Sequence, residues 1–268
     1  MNIIILEEYK KLKETQEELS LKYIELVEKQ EDILYKKKNY LEAKYLGHFG
    51  YLYKLKLKLE IEIRRNKRKI TLIQALINRN EKVDINKIEM ILQEEMKEFE
   101  EELRQYQLKV DFSRELLKSP IITDEELKEV KGIFRKLAKK LHPDINKNQN
   151  ERSKNLWEQL QKAYQNNDLA TLRLLANIID DEDYNVDNGN SLEKLKKDIQ
   201  MLQEKINEII LNLEIVETIF PFNIQEKLED VNWLDEEKSI ITKEINNFKK
   251  ISKVYNNKLK EMEKYYEQ

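Results

Sequence analysis

Residues 134–144 read FRKLAKKLHPD, a basic helical stretch that runs into a His-Pro-Asp tripeptide. The chain has only three prolines and two histidines in 268 residues, so this adjacent pair is informative. Pro143 cannot continue a helix, and it pushes His142 toward an extended backbone. The stretch therefore predicts a helix that ends in a fixed turn, with the side chains of His142 and Asp144 held at the start of a loop.

The helix before this turn has two distinct faces. Its apolar side chains recur at helical spacing and predict a core stripe formed by Leu127, Val130, Phe134, Leu137, Ala138 and Leu141. Its cations cover much of the remaining surface, and they are Lys128, Lys131, Arg135, Lys136, Lys139 and Lys140. Only Glu129 opposes them, so this face suits an acidic partner surface. The last two lysines equally suit the negative end of the helix dipole, at about 0.3–1 kcal/mol each.

The composition predicts an all-α protein. Charged residues make up 38% of the chain and apolar residues 40%, with four glycines, which is typical of long helices with a narrow apolar stripe. The net charge of −3 gives no global basic field for nucleic acid or an anionic membrane. The chain has no cysteine, no apolar run long enough to span a bilayer and no secretory signal. We expect a cytoplasmic protein without cofactor or metal.

Residues 1–118 are predicted to form a bundle or stalk of three long helices. Apolar positions recur at three-four spacing from residue 5 to 40, and Gly47 and Gly50 mark a predicted turn. The pattern breaks again near residues 78–80, and Asp84 is a suitable N-cap for the third helix. At ~1.5 Å per residue each helix would be on the order of 50 Å long, so short turns would make the bundle antiparallel.

The rest of the chain divides into three predicted segments. A small helical domain spans residues 119–179 and opens with a capping box at Thr123 and Glu126. Residues 180–190 are acidic, rich in asparagine and aperiodic, which predicts a linker. Heptad series within residues 191–268 surround Pro221 and predict an antiparallel coiled-coil hairpin. Pairing between chains fits the same pattern, so a homodimer is a second possibility.

Residues 134–144 resemble the signature of the J domain, the module of DnaJ-type co-chaperones. The usual run of that family is Tyr-Arg-Lys-Leu-Ala-Leu-Lys-Tyr-His-Pro-Asp, and Phe134 is a conservative departure from it. The resemblance continues at the right distance downstream, where the family has Phe-x-x-Ile-x-x-Ala-Tyr and this chain has Trp157, Leu160, Ala163 and Tyr164. The opening Tyr-x-x-Leu-Gly helix of a usual J domain is missing, and so are the Gly/Phe-rich linker and the cysteine zinc module.

The resemblance implies a mechanism without catalysis in this chain. J domains place the basic face of this helix on an acidic groove of a DnaK-type ATPase chaperone and promote ATP hydrolysis. By resemblance, the six cations of the helix would hold the chaperone, while the His142-Pro143-Asp144 turn would make the directional contacts. The long flanking helices would then bind a client or tether an assembly, neither of which the sequence identifies.

Three other functions fit the sequence less well. An enzyme would need more than His142 and the distant His48, because cysteine nucleophiles and metal-ligand clusters are missing. Nucleic-acid binding could use the basic cluster Arg64 to Lys69, but a solvated stretch balanced by the acidic helix after Asp84 explains that cluster better. The serious alternative is a helical scaffold whose J-like domain no longer activates a chaperone.

Overall fold

The computed structural model describes residues 2–119, 122–147, 149–180 and 191–266, and within these ranges it is all-α, as predicted. The helices are α1 (Asn2–Glu31), α2 (Lys38–Asn78), α3 (Ile85–Lys118), α4 (Asp124–Leu141), α5 (Glu151–Gln165), α6 (Leu169–Asp180), α7 (Leu192–Glu217) and α8 (Val231–Tyr266). A π-helical segment (Asp32–Lys37) follows α1, and two 3-10 turns (Phe222–Ile224 and Lys227–Glu229) precede α8. None of these helices is long and apolar enough to cross a membrane.

The chain forms two compact units, and each combines distant parts of the sequence. The first contains residues 1–39 and 120–223, and the second contains residues 40–119 and 224–268. The predicted division at residues 118, 179 and 190 differs from these units, because neither flank packs as one block. The predicted linker 180–190 lies almost wholly outside the described residues.

The first unit is built around α4, which packs against α1, α5 and α6. Phe134 is fully buried, and its ring stacks on that of Tyr164 with 4.0 Å between the centroids. Val130, Leu137 and Leu160 are also fully buried around this pair. The apolar stripe predicted for α4 is therefore the centre of the core, as the helical spacing requires.

The heptad stripe of α7 is buried against α1, and the two helices run parallel. The Lys196 ammonium lies 2.7 Å from the Glu8 carboxylate near the start of both helices. Further along, Tyr23 and Gln30 of α1 line the same cavity as Lys205 and Asn212 of α7. The predicted hairpin of α7 with the last helix is therefore wrong, since a heptad pattern determines the buried face of a helix but not its neighbour.

The second unit consists of residues 40–78 of α2, α3 and α8. Helices α2 and α3 form the predicted antiparallel pair, and Asp84 caps α3 by accepting a bond from the Lys87 amide at 3.1 Å. Helix α8 runs parallel to α2: the Lys56 ammonium lies 2.9 Å from Glu244, and the Asn66 amide donates to Asn256 at 2.7 Å.

The predicted turn at Gly47 and Gly50 is wrong, because both residues lie inside α2. A Cβ atom on Gly50 would lie 2.9 Å from the side chain of Val110, and one on Gly47 would lie 3.1 Å from that of Leu117. The glycines therefore serve close packing of α2 against α3 rather than a turn. Glycine permits both tight turns and close packing between helices, and the sequence alone does not distinguish these two roles.

We expect opposite effects from adding a methyl group at two helical glycines. Gly50→Ala should destabilise the second unit by up to about 2 kcal/mol, because the cost of shifting the Val110 side chain, about 1–3 kcal/mol, is partly offset by about 1 kcal/mol of helix propensity. Gly132→Ala should stabilise the first unit by about 1 kcal/mol, because nothing lies within 4 Å of its new Cβ. Urea unfolding followed by tryptophan fluorescence measures the stability of each unit: a chain that keeps only Trp157 reports on the first unit, and one that keeps only Trp233 reports on the second. A loss of stability in both Gly50→Ala and Gly132→Ala would contradict this packing.

Candidate functional site

The helix that carries the basic residues is capped at both ends. Thr123 accepts a bond from the Glu126 amide at 3.2 Å, and the Glu126 carboxylate accepts one from the Thr123 amide at 3.1 Å, so the predicted capping box is confirmed. His142 is the C-cap, with extended backbone angles and its amide bonded to the Ala138 carbonyl at 2.8 Å. Pro143 follows and prevents another helical turn.

The His-Pro-Asp turn is closed by backbone hydrogen bonds. The amides of Ile145 and Asn146 both donate to the His142 carbonyl, at 3.0 and 2.8 Å. The Asn146 side chain donates to the Lys140 carbonyl at 3.2 Å, and the Gln149 side chain donates to that of Leu141. These bonds satisfy carbonyls that the helix end leaves without intrahelical partners, so the turn has a defined shape.

The His142 side chain is buried, with 8% of the residue exposed. Its ring meets Tyr23 of α1 edge-on at 5.0 Å and Trp157 of α5 at 4.7 Å between centroids. Its Nδ1 accepts a bond from the Asp144 amide at 3.1 Å, which leaves the proton of the neutral ring on Nε2. The pKa of His142 is lowered to about 4, chiefly because the ring is buried; the Asp144 charge opposes this shift and the Lys205 charge adds to it.

The Asp144 carboxylate accepts a hydrogen bond from the Tyr23 hydroxyl of α1. Burial raises the pKa of Tyr23 well above its usual range, and the bond to Asp144 raises it further, so the phenol stays protonated and donates. Pro143 between the two side chains is exposed. Both polar side chains of the turn are thus held by one tyrosine.

Two of the predicted basic residues form ion pairs with α1 and the π-helical segment that continues it. The Arg135 guanidinium binds the Glu28 carboxylate through two hydrogen bonds, one of them 3.1 Å long. The Lys131 ammonium lies 2.7 Å from Asp32 and 3.4 Å from Glu28. Glu28 is almost fully buried, with 4% of its side chain exposed, so its charge depends on these two cations.

A second cluster joins Asp32 to the core of the first unit. The Tyr164 hydroxyl donates to Asp32 at 2.8 Å, and the Lys36 ammonium lies 3.6 Å from the centre of the Tyr164 ring. Burial opposes ionisation of Asp32, but the bond from Lys131 and the charge of Lys36 bring its pKa below the usual value. The π-helical turn carries both Asp32 and Lys36, so it contributes directly to this contact.

The other four predicted cations of α4 differ in exposure. Lys128, Lys136 and Lys139 are exposed, and Lys140 is half-buried. Glu129, the one acid among them, forms two 2.7 Å bonds with Arg173 of α6. The predicted site residues therefore share one helix and one turn, but the structure separates them into an exposed set and a set engaged with α1.

Sequence reasoning missed the α1 residues of this site. Tyr23 belongs to the three-four spacing of residues 5–40, which predicts an apolar stripe and no polar contact, and the sequence does not mark Glu28 or Asp32 of the adjoining π-helical segment. An acidic pair at this spacing in a charged helix carries no sign that it will be buried, since the same pattern is usual on solvated faces. No signal in the sequence would have found them.

The basic cluster Arg64 to Lys69 is largely neutralised within the second unit. Arg65 binds Glu89, the Lys69 ammonium lies 2.7 Å from Glu89, and Arg68 forms two 2.7 Å bonds with Glu95. The pattern matches the prediction that the acidic helix after Asp84 balances this cluster. Among the side chains that the structure describes, no group of His, Asp or Glu residues could hold a metal ion.

Comparison with protein families identifies the segment that contains the helix and the turn. Residues 121–166 match the family model of the DnaJ domain. The chain contains a J domain. The match covers α4, the turn and α5, which are the elements that the sequence signature predicted. No curated protein and no solved structure matched the chain.

The J domain indicates a co-chaperone role and, at the same coarse level, a DnaK-type chaperone as partner. Helix α6 lies beyond the matched residues but packs on α4 and α5. The opening helix missing from the sequence has no counterpart in the match, which begins just before α4. In this protein α1 packs beside α4 instead.

Acidification should loosen the packing around His142. The ring takes up a proton near pH 6.5 in the unfolded chain but only near pH 4 in the folded protein, so stability is full above pH 6.5 and falls between these values. At about pH 5 the loss is roughly 2 kcal/mol. The charged and titratable groups around the ring are Tyr23, Asp144, Lys205 and Glu208.

Urea unfolding followed by Trp157 fluorescence in a Trp233→Phe background measures this effect. His142→Gln should be less stable than the parent at pH 7 but should lose roughly 2 kcal/mol less on acidification, because glutamine does not titrate. An identical pH dependence in the two proteins would show that His142 does not control it.

Proposed function

We propose that this protein is a J-domain co-chaperone that docks on a DnaK-type ATPase chaperone and stimulates its ATP hydrolysis. The basic face of α4 would bind an acidic groove of the chaperone, and the His142-Pro143-Asp144 turn would make the directional contacts. The chain itself would catalyse no reaction. The observation that carries the proposal is the His-Pro-Asp turn at the end of a basic helix, inside the segment that matches the DnaJ domain.

The charge distribution of α4 supports this mode of binding. The exposed Lys128, Lys136 and Lys139 stand on one helix of a chain whose net charge is −3, so the positive field is local. Such a patch accelerates association with an acidic surface and aligns the two proteins, and its effect falls with ionic strength. A bound J domain promotes hydrolysis if it binds the hydrolysis-competent state of the chaperone more tightly than the other state.

The second unit would hold the client or the assembly to which the chaperone is directed. Large apolar side chains stand exposed on α3, with 64% of Met90, 50% of Leu108 and 66% of Phe112 accessible. Leu108 and Phe112 are four residues apart on one face of α3, and a contiguous exposed apolar patch is typical of a surface that binds another protein. The same side chains could pair two copies of this chain, and light scattering of the purified protein would detect a dimer.

A structural scaffold is the second candidate function, and one observation favours it. His142 is buried and Asp144 is bound to Tyr23, so neither side chain of the turn faces the solvent freely. In a scaffold these contacts would be permanent, and the J domain would only pack the first unit together. The two functions differ in whether any chaperone responds to the protein.

A single-turnover ATPase assay with a DnaK-type chaperone tests the proposal. We expect the full chain to accelerate hydrolysis with increasing concentration. His142→Gln and Asp144→Asn should return the rate to the basal level of the chaperone, because each removes a directional contact. His48→Gln is the matched control, since His48 lies on α2 in the second unit, and it should stimulate like the parent. Full stimulation by His142→Gln would refute the co-chaperone proposal.

A further inference from the structure

Helix α1 engages four of the nine residues that the proposed function assigns to chaperone binding. Its Glu28 carboxylate pairs with Arg135, Asp32 at the start of the π-helical segment that continues α1 pairs with Lys131, and its Tyr23 contacts both His142 and Asp144. These contacts lie within the first compact unit. The contacts therefore extend from Lys131 and Arg135 on α4 to His142 and Asp144 in the turn that follows it.

We propose that α1 is an intramolecular occupant of the chaperone-docking face, so that the chaperone must displace α1 to bind the turn. This inference rests on the proposed function and adds its regulation. In the structure the J domain is in a closed state, in which α1 stands where the chaperone would bind. Stimulation of the chaperone then depends on an open state in which α1 has left α4.

The contacts of α1 restrict what a partner can reach on α4 and exclude it from the turn. The Glu28 carboxylate already accepts from Nε and one terminal nitrogen of Arg135, so a carboxylate of the chaperone could bind only the remaining outer N–H groups of this guanidinium. The His142 ring is enclosed between Tyr23 and Trp157, and only 8% of the residue is accessible. A partner cannot reach this ring while the Tyr23 side chain covers it.

Two features allow the exchange to occur. The side chains of Lys131 and Arg135 remain 33% and 50% exposed, so an approaching carboxylate can compete at the outer edge of each ion pair. Beside His142 a polar cavity of about 220 Å³ is lined by residues of α1, α5 and α7, among them Gln30, Glu208 and Asn212. Packing there is incomplete, and a close-packed interior would resist separation more strongly.

The exposed lysines give the chaperone a first contact before α1 leaves. Lys128 and Lys139 are exposed and lie seven residues before and four residues after Arg135, on the same face of α4, so an acidic surface can contact them before it reaches Arg135. Displacement of α1 would then release Arg135 and the turn. The apparent dissociation constant equals the intrinsic one divided by the fraction of open protein, so a variant that opens α1 binds more tightly without any new contact.

Charge reversal on α1 tests this dependence. Glu28→Lys would place a cation against Arg135 and Lys131, and like charges there should release α1 from α4. Because the equilibrium between the closed and open states then shifts toward the open state, chaperone binding should tighten by about tenfold or more. Glu18→Lys is the matched control, because Glu18 is an exposed residue of the same helix, and it should bind like the parent. Fluorescence anisotropy measures both affinities, and circular dichroism verifies that the variants remain helical. Equal affinities for Glu28→Lys and the parent would overturn the proposal.

A reversible cross-link provides a second test, in which α1 is fixed on the J domain rather than released. The chain has no cysteine, so Glu31→Cys with Gln165→Cys introduces a single pair. The native side chains are joined by a 2.8 Å hydrogen bond between α1 and α5, and neither belongs to the proposed docking residues. A cleavable dithiol-reactive bridge should fix α1 on the J domain and reduce chaperone affinity and stimulation about tenfold or more, and reduction should restore both.

The two experiments separate failure of this inference from failure of the proposed function. If the bridged and the reduced proteins stimulate the chaperone equally, α1 does not compete with the chaperone and the inference is wrong. If neither protein nor Glu28→Lys stimulates at any concentration, the co-chaperone function itself fails, and the closed state is then the packing of a scaffold.

Discussion

The first unit depends on one buried carboxylate. Glu28 has lost nearly all contact with water, and a charge in that position is strongly destabilising unless cations and hydrogen bonds compensate it. Arg135 and Lys131 supply the positive charge and the hydrogen bonds, so α1 and α4 must lie side by side around Glu28. The position of α1 then determines which side chains surround His142 and which side of α4 remains exposed.

Local features of the fold could be predicted from the sequence, because short-range physics determines them. The capping box at Thr123, the N-cap at Asp84 and the buried stripe of α4 each depend on residues within a few positions of one another. By contrast, which helix an apolar stripe packs against depends on the arrangement of the whole chain. The heptads of α7 fit many apolar helices, and their burial along α1 in a parallel direction could not be derived from spacing.

The candidate site divides in the same way. The helix, its cations and the turn were predicted because the residues themselves carry the family signature, and the DnaJ-domain match confirms the segment. The contribution of α1 could not be predicted, because Glu28 and Asp32 are two of 52 acidic residues in a highly charged chain. The role of Gly47 and Gly50 could not be predicted either, because it depends on how closely α3 packs against α2 at these positions.

The feature that would attract a chaperone also explains why α1 can compete with it. A basic helix recognises carboxylates by charge and geometry, and it binds them equally well when they come from its own chain. A segment within the same unit acts at an effective concentration that can reach the millimolar range, well above that of most separate partners. A chaperone can therefore replace α1 only by making contacts that α1 does not make. The exposed Lys128 and Lys139, which α1 leaves uncovered, are the residues from which such contacts can begin.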